Sequence, residues 1–266
     1  MNDIVKLTTK QNIAAIWILA KRELLEFWRN KSRVISTIAQ SILFLFIFGA
    51  GFAFVAIEIE GISVSSSAFI ASGILAITIL FNGIFGGMGL MRDKMFGFMK
   101  ELIVAPVSRR ILMMGRTLGI SLQCILQSLL VLLISISFGY YGYDPSLVWR
   151  TLLVIPVAFL ASLGIVGMGL TISTRLRDFQ SFGLIQTFIV MPMFWLCGAM
   201  FAFSNVPVGM QIAMMCNPYT YSVDLFRAVL LGVSFFPIWL DLLVVSSFGS
   251  ILILIGAMSF NKMELS

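Results

Sequence analysis

Histidine is absent from the sequence, and the three cysteines (Cys124, Cys197 and Cys216) lie scattered in apolar surroundings. The first absence excludes His-based acid–base catalysis, haem ligation through His and His–metal sites. The second leaves no spaced cluster for a structural metal or a disulfide framework. Charge is scarce as well: 11% of residues are Asp, Glu, Lys or Arg, against about 25% in an ordinary soluble domain. No polar segment is long enough to build a water-soluble core. No Gly-x-x-x-x-Gly-Lys-Ser/Thr phosphate loop and no Gly-x-Ser-x-Gly elbow occurs. No apolar run carries paired carboxylates for a proton relay, and Asp241 stands alone. Energy for any active transport is therefore expected from a partner.

What the sequence does hold is apolar residues, 59% of the chain. They gather in six runs, at 34–57, 64–90, 111–139, 147–173, 181–203 and 238–260, each near the roughly 20 residues that cross a bilayer. The expected fold is an all-α membrane protein of one domain, 1–266, with six transmembrane helices. With the N-terminus inside, sixteen of the eighteen Lys and Arg fall on the inner side and only Arg150 and Arg227 outside. That bias predicts both termini in the cytoplasm. Because the basic residues cluster beside the apolar runs, the net charge of +6 is no nucleic-acid signature. Tyr140, Tyr141, Tyr143, Trp149 and Trp239 are expected in the outer aromatic belt.

Ahead of the first run, Ile13, Ile16, Trp17, Ala20, Leu24, Phe27 and Trp28 fall within an arc of about 120° at ~100° per residue. The spacing predicts an amphipathic helix over 11–31 with Trp17, Phe27 and Trp28 on its apolar face. Such a helix lies on the membrane surface, or packs on the protein's own spans, or does both.

Between the second and third runs sits a charged island, Arg92 to Arg110. A short helix over 92–104 is expected there, ended by Pro106, with Ser108 capping the next helix. Met88, Met91, Met95 and Met99 recur at helical spacing and suit an adaptable docking face. An ordinary positive-inside loop is the plainer reading.

In the third run Gln123 and Gln127 share one helix face. They fit either a substrate-facing surface or interhelical hydrogen bonds, the commoner use. Close helix contacts are expected at Gly83 and Gly87, at Gly115 and Gly119, and at Gly164, Gly167 and Gly169. The stretch from Phe203 to Pro237 is too apolar for a free loop and too broken for a span, and Pro207 and Pro218 divide it. Two half-helices dipping into the membrane over 204–234 fit it. Asp224 and Arg227, three apart, are placed to pair at that depth or just outside the lipid.

Three stretches together resemble the permease subunits of type-2 ATP-binding-cassette exporters. They are Lys21-Arg22-Glu23-Leu24 with Phe27-Trp28-Arg29-Asn30; Arg92-Asp93 with Gly97, Glu101-Leu102 and Ala105-Pro106-Val107-Ser108-Arg109; and Pro192 through Asn205-Val206-Pro207 to Asn217-Pro218-Tyr219-Thr220-Tyr221, Asp224 and Arg227. The wording around Pro106 is most similar to the drug-resistance, daunorubicin-type branch. Cys197 stands where that family often has Ser, and Ala202 where Pro is common.

The resemblance implies a coupling helix at 92–104 seated on a separate cassette ATPase, through Arg92, Asp93, Met95, Gly97, Met99, Lys100, Glu101 and Pro106. It implies an outer gate in the hairpin, with Pro207, Asn217, Pro218, Tyr219, Asp224 and Arg227. It also implies a second permease copy or homologue, and a prokaryotic plasma membrane. No cofactor is expected on this chain, since ATP and Mg would sit on the partner. The expected function is export of a drug-like or lipid-like amphipath, with no enzymatic site in the chain itself. Polysaccharide or ion export, a lipid-modifying membrane enzyme, and a non-transporting scaffold or sensor are the rivals.

Overall fold

The computed structural model describes residues 8–49, 51, 57–59, 62–96, 108–142, 145–176 and 178–261. Helix α1 (Thr9–Arg29) begins where the Gln11 side chain accepts from the Thr8 N–H at 2.8 Å. Helix α2 (Lys31–Phe44) continues as a π-helical turn at Leu45–Gly49. A two-stranded antiparallel ribbon, β1 (Ile57–Ile59) with β2 (Ile62–Val64), leads to α3 (Ser66–Met95). Then come α4 (Arg109–Ser137) and α5 (Leu147–Arg175). Next, α6 (Phe179–Ile185) runs through a π-helical turn into α7 (Met191–Trp195). The chain ends in α8 (Val208–Cys216), α9 (Pro218–Leu231) and α10 (Ile238–Asn261).

Helix α3 is the axle. In its most apolar window 94% of residues are buried, against 17% for α10, so α3 is lined by protein and α10 faces outward. Small residues let the helices close on the axle. A Cβ on Gly83 would meet the Ile165 side chain of α5 at 2.8 Å, and one on Gly87 would meet the Gly169 backbone. Gly164 and Gly167 seat α10 in the same way, against Phe248 and Leu252. In lipid such close packing, rather than water exclusion, holds helices together.

Among the described residues four helices, α3, α4, α5 and α10, are long and apolar enough to cross a membrane, and a fifth span results if α1 and the helix to Gly49 count as one bent pair. The first and fifth of the six expected runs do not appear as single helices of that length among the described residues. The first run is helical only to Gly49 before residues outside the described set, and its helix meets α1 at a 77° bend. The fifth is the shorter apolar helical stretch Phe179–Trp195. It ends there because the chain turns through Gly198 at φ +70°, a backbone that only glycine adopts cheaply. The β1–β2 ribbon was not expected. Its alternation is only three residues long on each strand, too short to read as period two.

The charged island also differs. Arg92 to Met95 are the last turn of α3 and Phe96 is its C-cap, because the apolar run simply continues helical past its hydrophobic end. Gly97, Met99, Lys100, Glu101 and Pro106 lie outside the described residues. Ser108 caps α4 as anticipated, accepting from the Ile111 N–H at 3.4 Å.

Candidate functional site at the charged end of the bundle

Three consecutive residues of the last α3 turn reach three different helices. Arg92 pairs with Glu26 of α1. Asp93 accepts from Arg22 of α1 at 3.3 Å and also pairs with Arg116 of α4. Lys94 Nζ donates to the carbonyls of Thr174 and Leu176, at 3.3 and 3.2 Å, where α5 ends. A cation suits that position, since the last carbonyls of a helix carry its negative pole. Arg116 Nε lies 3.6 Å from Glu23 Oε1, so two acids and two arginines alternate. Arg116 is 2% exposed, Asp93 5% and Glu23 9%. Charges so enclosed must stay paired, because desolvation leaves an orphan very costly.

Helix α1 is held down by the same cluster and by two glycines. A Cβ on Gly115 would meet Leu19 Cβ at 2.6 Å, and one on Gly119 would meet Glu23 Cβ at 2.7 Å. Gln123 Nε2 donates to the Glu23 carbonyl at 2.7 Å. Its amide thus joins helices, and Gln127, also buried, keeps a side-chain oxygen without a partner among the described residues. Neither lines the cleft described below. The apolar arc of α1 splits in two. Phe27 is 3% exposed and belongs to the core, whereas Trp17 and Trp28 are 57% and 55% exposed. The methionine face splits too, with Met91 fully buried and Met95 half exposed.

Sequence reasoning missed Arg22, Glu23, Glu26 and Arg116 as a unit. The usable signal was Glu23 and Glu26 one helical turn apart, together with an arginine placed inside an apolar run. Their partners lie tens of residues away, so local spacing could not join them.

At the opposite end, α8 and α9 are two short helices divided at Pro218. Asn217 caps α9, accepting from Tyr219 N at 3.0 Å while donating to the Met193 carbonyl at 2.8 Å. Tyr219 Oη donates to the Ala76 carbonyl of α3 at 2.6 Å. Pro207 precedes the first turn of α8. Asp224 and Arg227 serve separate loops. The Asp224 carboxylate accepts from Phe235 N and Phe236 N, each at 2.9 Å. The Arg227 guanidinium donates to the Gly198 and Ala199 carbonyls at 2.6 and 3.1 Å, and its carbon lies 3.6 Å from the Phe69 ring centroid.

Beside the charged end, a cleft of about 500 Å³ opens between α2, α3 and α6. Ser36, Gln40, Asn82 and Arg92 give it polar groups, and Phe85 and Phe179 give it aromatic walls.

Long apolar helices around a buried axle, tied at one end by a charge cluster, define a polytopic membrane protein. The chain belongs to the ABC-2 type transporter family, whose model matches residues 14–231. It is similar to a protein named as a transport permease, ycf38, in Porphyra purpurea, at 24% identity over 85% of this chain and 77% of the relative. It is similar to nodulation protein J of Rhizobium leguminosarum bv. viciae, at 23% identity over 81% and 82%. A third relative is the inner membrane transport permease YadH of Escherichia coli, at 28% identity over 59% and 57%. Transport across a membrane is therefore the function class.

Proposed function

We propose that the chain is the membrane subunit of an ATP-driven exporter and works as one of two permeases beside two cassette ATPases. The observation that carries this reading is the wiring of Arg92, Asp93 and Lys94. A push on the connection that begins at Phe96 pulls on α1, α4 and α5 together, through the buried Asp93–Arg116 pair and the more exposed contacts of Arg92, Arg22 and Lys94 around it. Bistable packing of that kind turns a small local shift into a rigid-body movement. The ATPase would dock on 92–104, with Gly97, Lys100, Glu101 and Pro106 among its contacts. The α8–α9 hairpin would part at the other end as the spans rock.

The reading puts six spans in a prokaryotic plasma membrane, with both termini in the cytoplasm. The cargo is an amphipath, and the cleft lined by Asn82, Gln40 and Phe85 supports this by offering amides beside aromatic walls. Such a lining suits a hydroxylated head and an apolar body, so it extends beyond the drug-resistance branch that the Pro106 region resembles.

The test is reconstitution with the ATPase. The pair should co-purify in equal number and hydrolyse ATP at a rate that cargo changes. Glu101→Arg and Gly97→Pro should abolish that response while assembly of the permease persists. Unchanged stimulation across the panel would overturn the assignment.

A further inference from the structure

The cleft beside the charged end stops at a group of aromatic rings. Its lining runs along α3 from Arg92 to Asn82 and along α2 from Ser36 to Gln40. The next residue of α3 is Phe81, and one turn past Gln40, on the same face of α2, is Phe44. Both meet Phe194 of α7. The Phe81 and Phe194 centroids are 5.5 Å apart, and the Phe44 and Phe194 rings stack at 6.5 Å with their planes 19° apart. Phe85, a wall of the cleft, stacks on Phe81 at 6.5 Å. Phe81 is 8% exposed and Phe194 7%, so the rings close that end of the cleft.

Two features set these rings apart from ordinary core packing. The first is a π-helical turn beside each of two of them. Leu45–Gly49 directly follows Phe44, and Gln186–Val190 ends four residues before Phe194. Such turns are rare, interrupt the regular helical ladder and gather at functional sites. Helix α3, which carries Phe81, is continuous from Ser66 to Met95. Two rings on interrupted helices therefore rest against a third on the rigid axle.

The second feature is the grip of α9 on the segment that carries Phe194. Asn217 donates to the Met193 carbonyl at 2.8 Å, and Arg227 donates to the Gly198 carbonyl at 2.6 Å. The hairpin thus holds the chain on both sides of Phe194. From the first turn of α9, Tyr219 also donates to the Ala76 carbonyl of α3, on the far side of Phe81 from the cleft.

We propose that Phe44, Phe81 and Phe194 form a septum between the cleft and the hairpin, with Asn217 as the positioning residue that keeps it shut. On the transport reading, on which this rests, cargo reaches the rings from the cleft. When α9 moves, the Met193 carbonyl loses its partner and Phe194 turns away with its segment. Aromatic faces suit the apolar body of an amphipath and exclude water while they are closed.

The test is thiol labelling by a small water-soluble methanethiosulfonate, with the full chain in nanodiscs. The background carries Cys124→Ala, Cys197→Ser and Cys216→Ser, which removes the three free thiols. Gln40→Cys reports the cleft. Thr78→Cys reports the far side of Phe81, where the Thr78 hydroxyl bonds the Ser41 hydroxyl at 3.3 Å. Ser173→Cys, where α5 packs on Gly87, reports general loosening.

Gln40→Cys should label in every form and Ser173→Cys in none. Thr78→Cys should be protected while the septum is intact. Phe194→Ala should speed its labelling by about tenfold or more, because the thiol then meets water without local unfolding. Asn217→Ser keeps an oxygen to cap α9 but loses the amide that reaches Met193, and should act in the same direction. Protection of Thr78→Cys in both variants, or equal exposure of Thr78→Cys and Ser173→Cys, would overturn the septum. Exposure by Phe194→Ala alone would overturn the role of Asn217. Adding the ATPase with ATP tests the transport reading apart from the septum. Thr78→Cys with all three rings in place should then gain labelling during turnover. If it does not, while Phe194→Ala still exposes it, the exporter reading fails and the septum stands.

Discussion

Asp93 and Arg116, on neighbouring helices, form a buried ion pair at the charged end of the bundle, 5% and 2% exposed. Each is also held by a second partner from α1, Arg22 for Asp93 and Glu23 for Arg116. Four charges balance, so removing one leaves an uncompensated charge out of water. Asp93→Leu or Arg116→Met should each cost about 3–5 kcal/mol. Replacing the pair together, Asp93→Leu with Arg116→Met, should recover part of that loss. Thermal melts of the four proteins in one detergent form the cycle, and a simple sum of the single effects would refute the coupling.

Gly119 lets α1 sit against α4. A methyl group there would meet Glu23 Cβ at 2.7 Å and the Ala20 carbonyl at 3.0 Å. Backbone cannot yield as a side-chain tip does, so Gly119→Ala should cost about 1–3 kcal/mol. Gly89 has nothing within 4 Å of its added carbon. Gly89→Ala should gain up to about 1 kcal/mol from helix propensity alone. Melting temperatures of both variants check the contrast, and Trp17 and Trp28 fluorescence should shift only in the Gly119 variant.

The helices were legible in the sequence wherever composition alone decides. Four apolar runs became α3, α4, α5 and α10 within a few residues, because a long apolar segment has one favourable backbone solution in lipid. The small residues pointed to real contacts, since a missing side chain is visible without knowing the neighbour. Two things were not legible. The split of α1 into a core-facing Phe27 and outward Trp17 and Trp28 depends on which side α4 approaches. The pairing of Asp93 with Arg116 depends on two helices crossing, and neither residue's local spacing carries that fact. Asp224 and Arg227 show the same limit. Their i,i+3 spacing brings two opposite charges near each other, but it says nothing of the different loop that each also anchors.

Those two anchors make opposite demands on substitution. Arg227 uses a planar group, over Phe69 and across two carbonyls, which lysine cannot reproduce. Arg227→Lys should cost about 1–2 kcal/mol despite keeping the charge. Asp224 supplies acceptors for the Phe235 and Phe236 N–H groups, and asparagine keeps one carbonyl oxygen for them. Asp224→Asn should therefore be milder than Asp224→Leu, which leaves both N–H groups unmet at about 1–3 kcal/mol apiece. Chemical denaturation in detergent would rank the three.

Asp178 gives a pH-dependent handle outside the helices. It caps α6, accepting from Ser181 N at 2.6 Å and Ser181 Oγ at 2.9 Å. These donors, the backbone one first, hold its carboxyl below the usual aspartate value. A depressed folded value means the cap is at full strength above the unfolded value of about 4. It is lost as pH falls through the lower folded value. Amide exchange at Ser181, corrected for intrinsic rate, should lose protection over that acid window, and Asp178→Ala should remove the pH dependence.

Asp241 behaves oppositely to the paired acids. It sits in the first turn of α10 with no exposed surface, and neither carboxylate oxygen has a hydrogen-bond partner among the described residues. A carboxyl group enclosed without a partner stabilises nothing in the fold, whereas an apolar replacement of similar size removes the desolvation cost. Asp241→Leu should therefore leave the melting temperature unchanged or raise it, by the equivalent of about 1–3 kcal/mol. Asp93→Leu, at comparable burial, should lower it. If Asp241→Leu instead unfolds the protein, the carboxylate has a partner beyond the described residues, within the chain or on another molecule. Repeating the melt at increasing protein concentration separates the two cases, because only an intermolecular partner makes the loss depend on concentration.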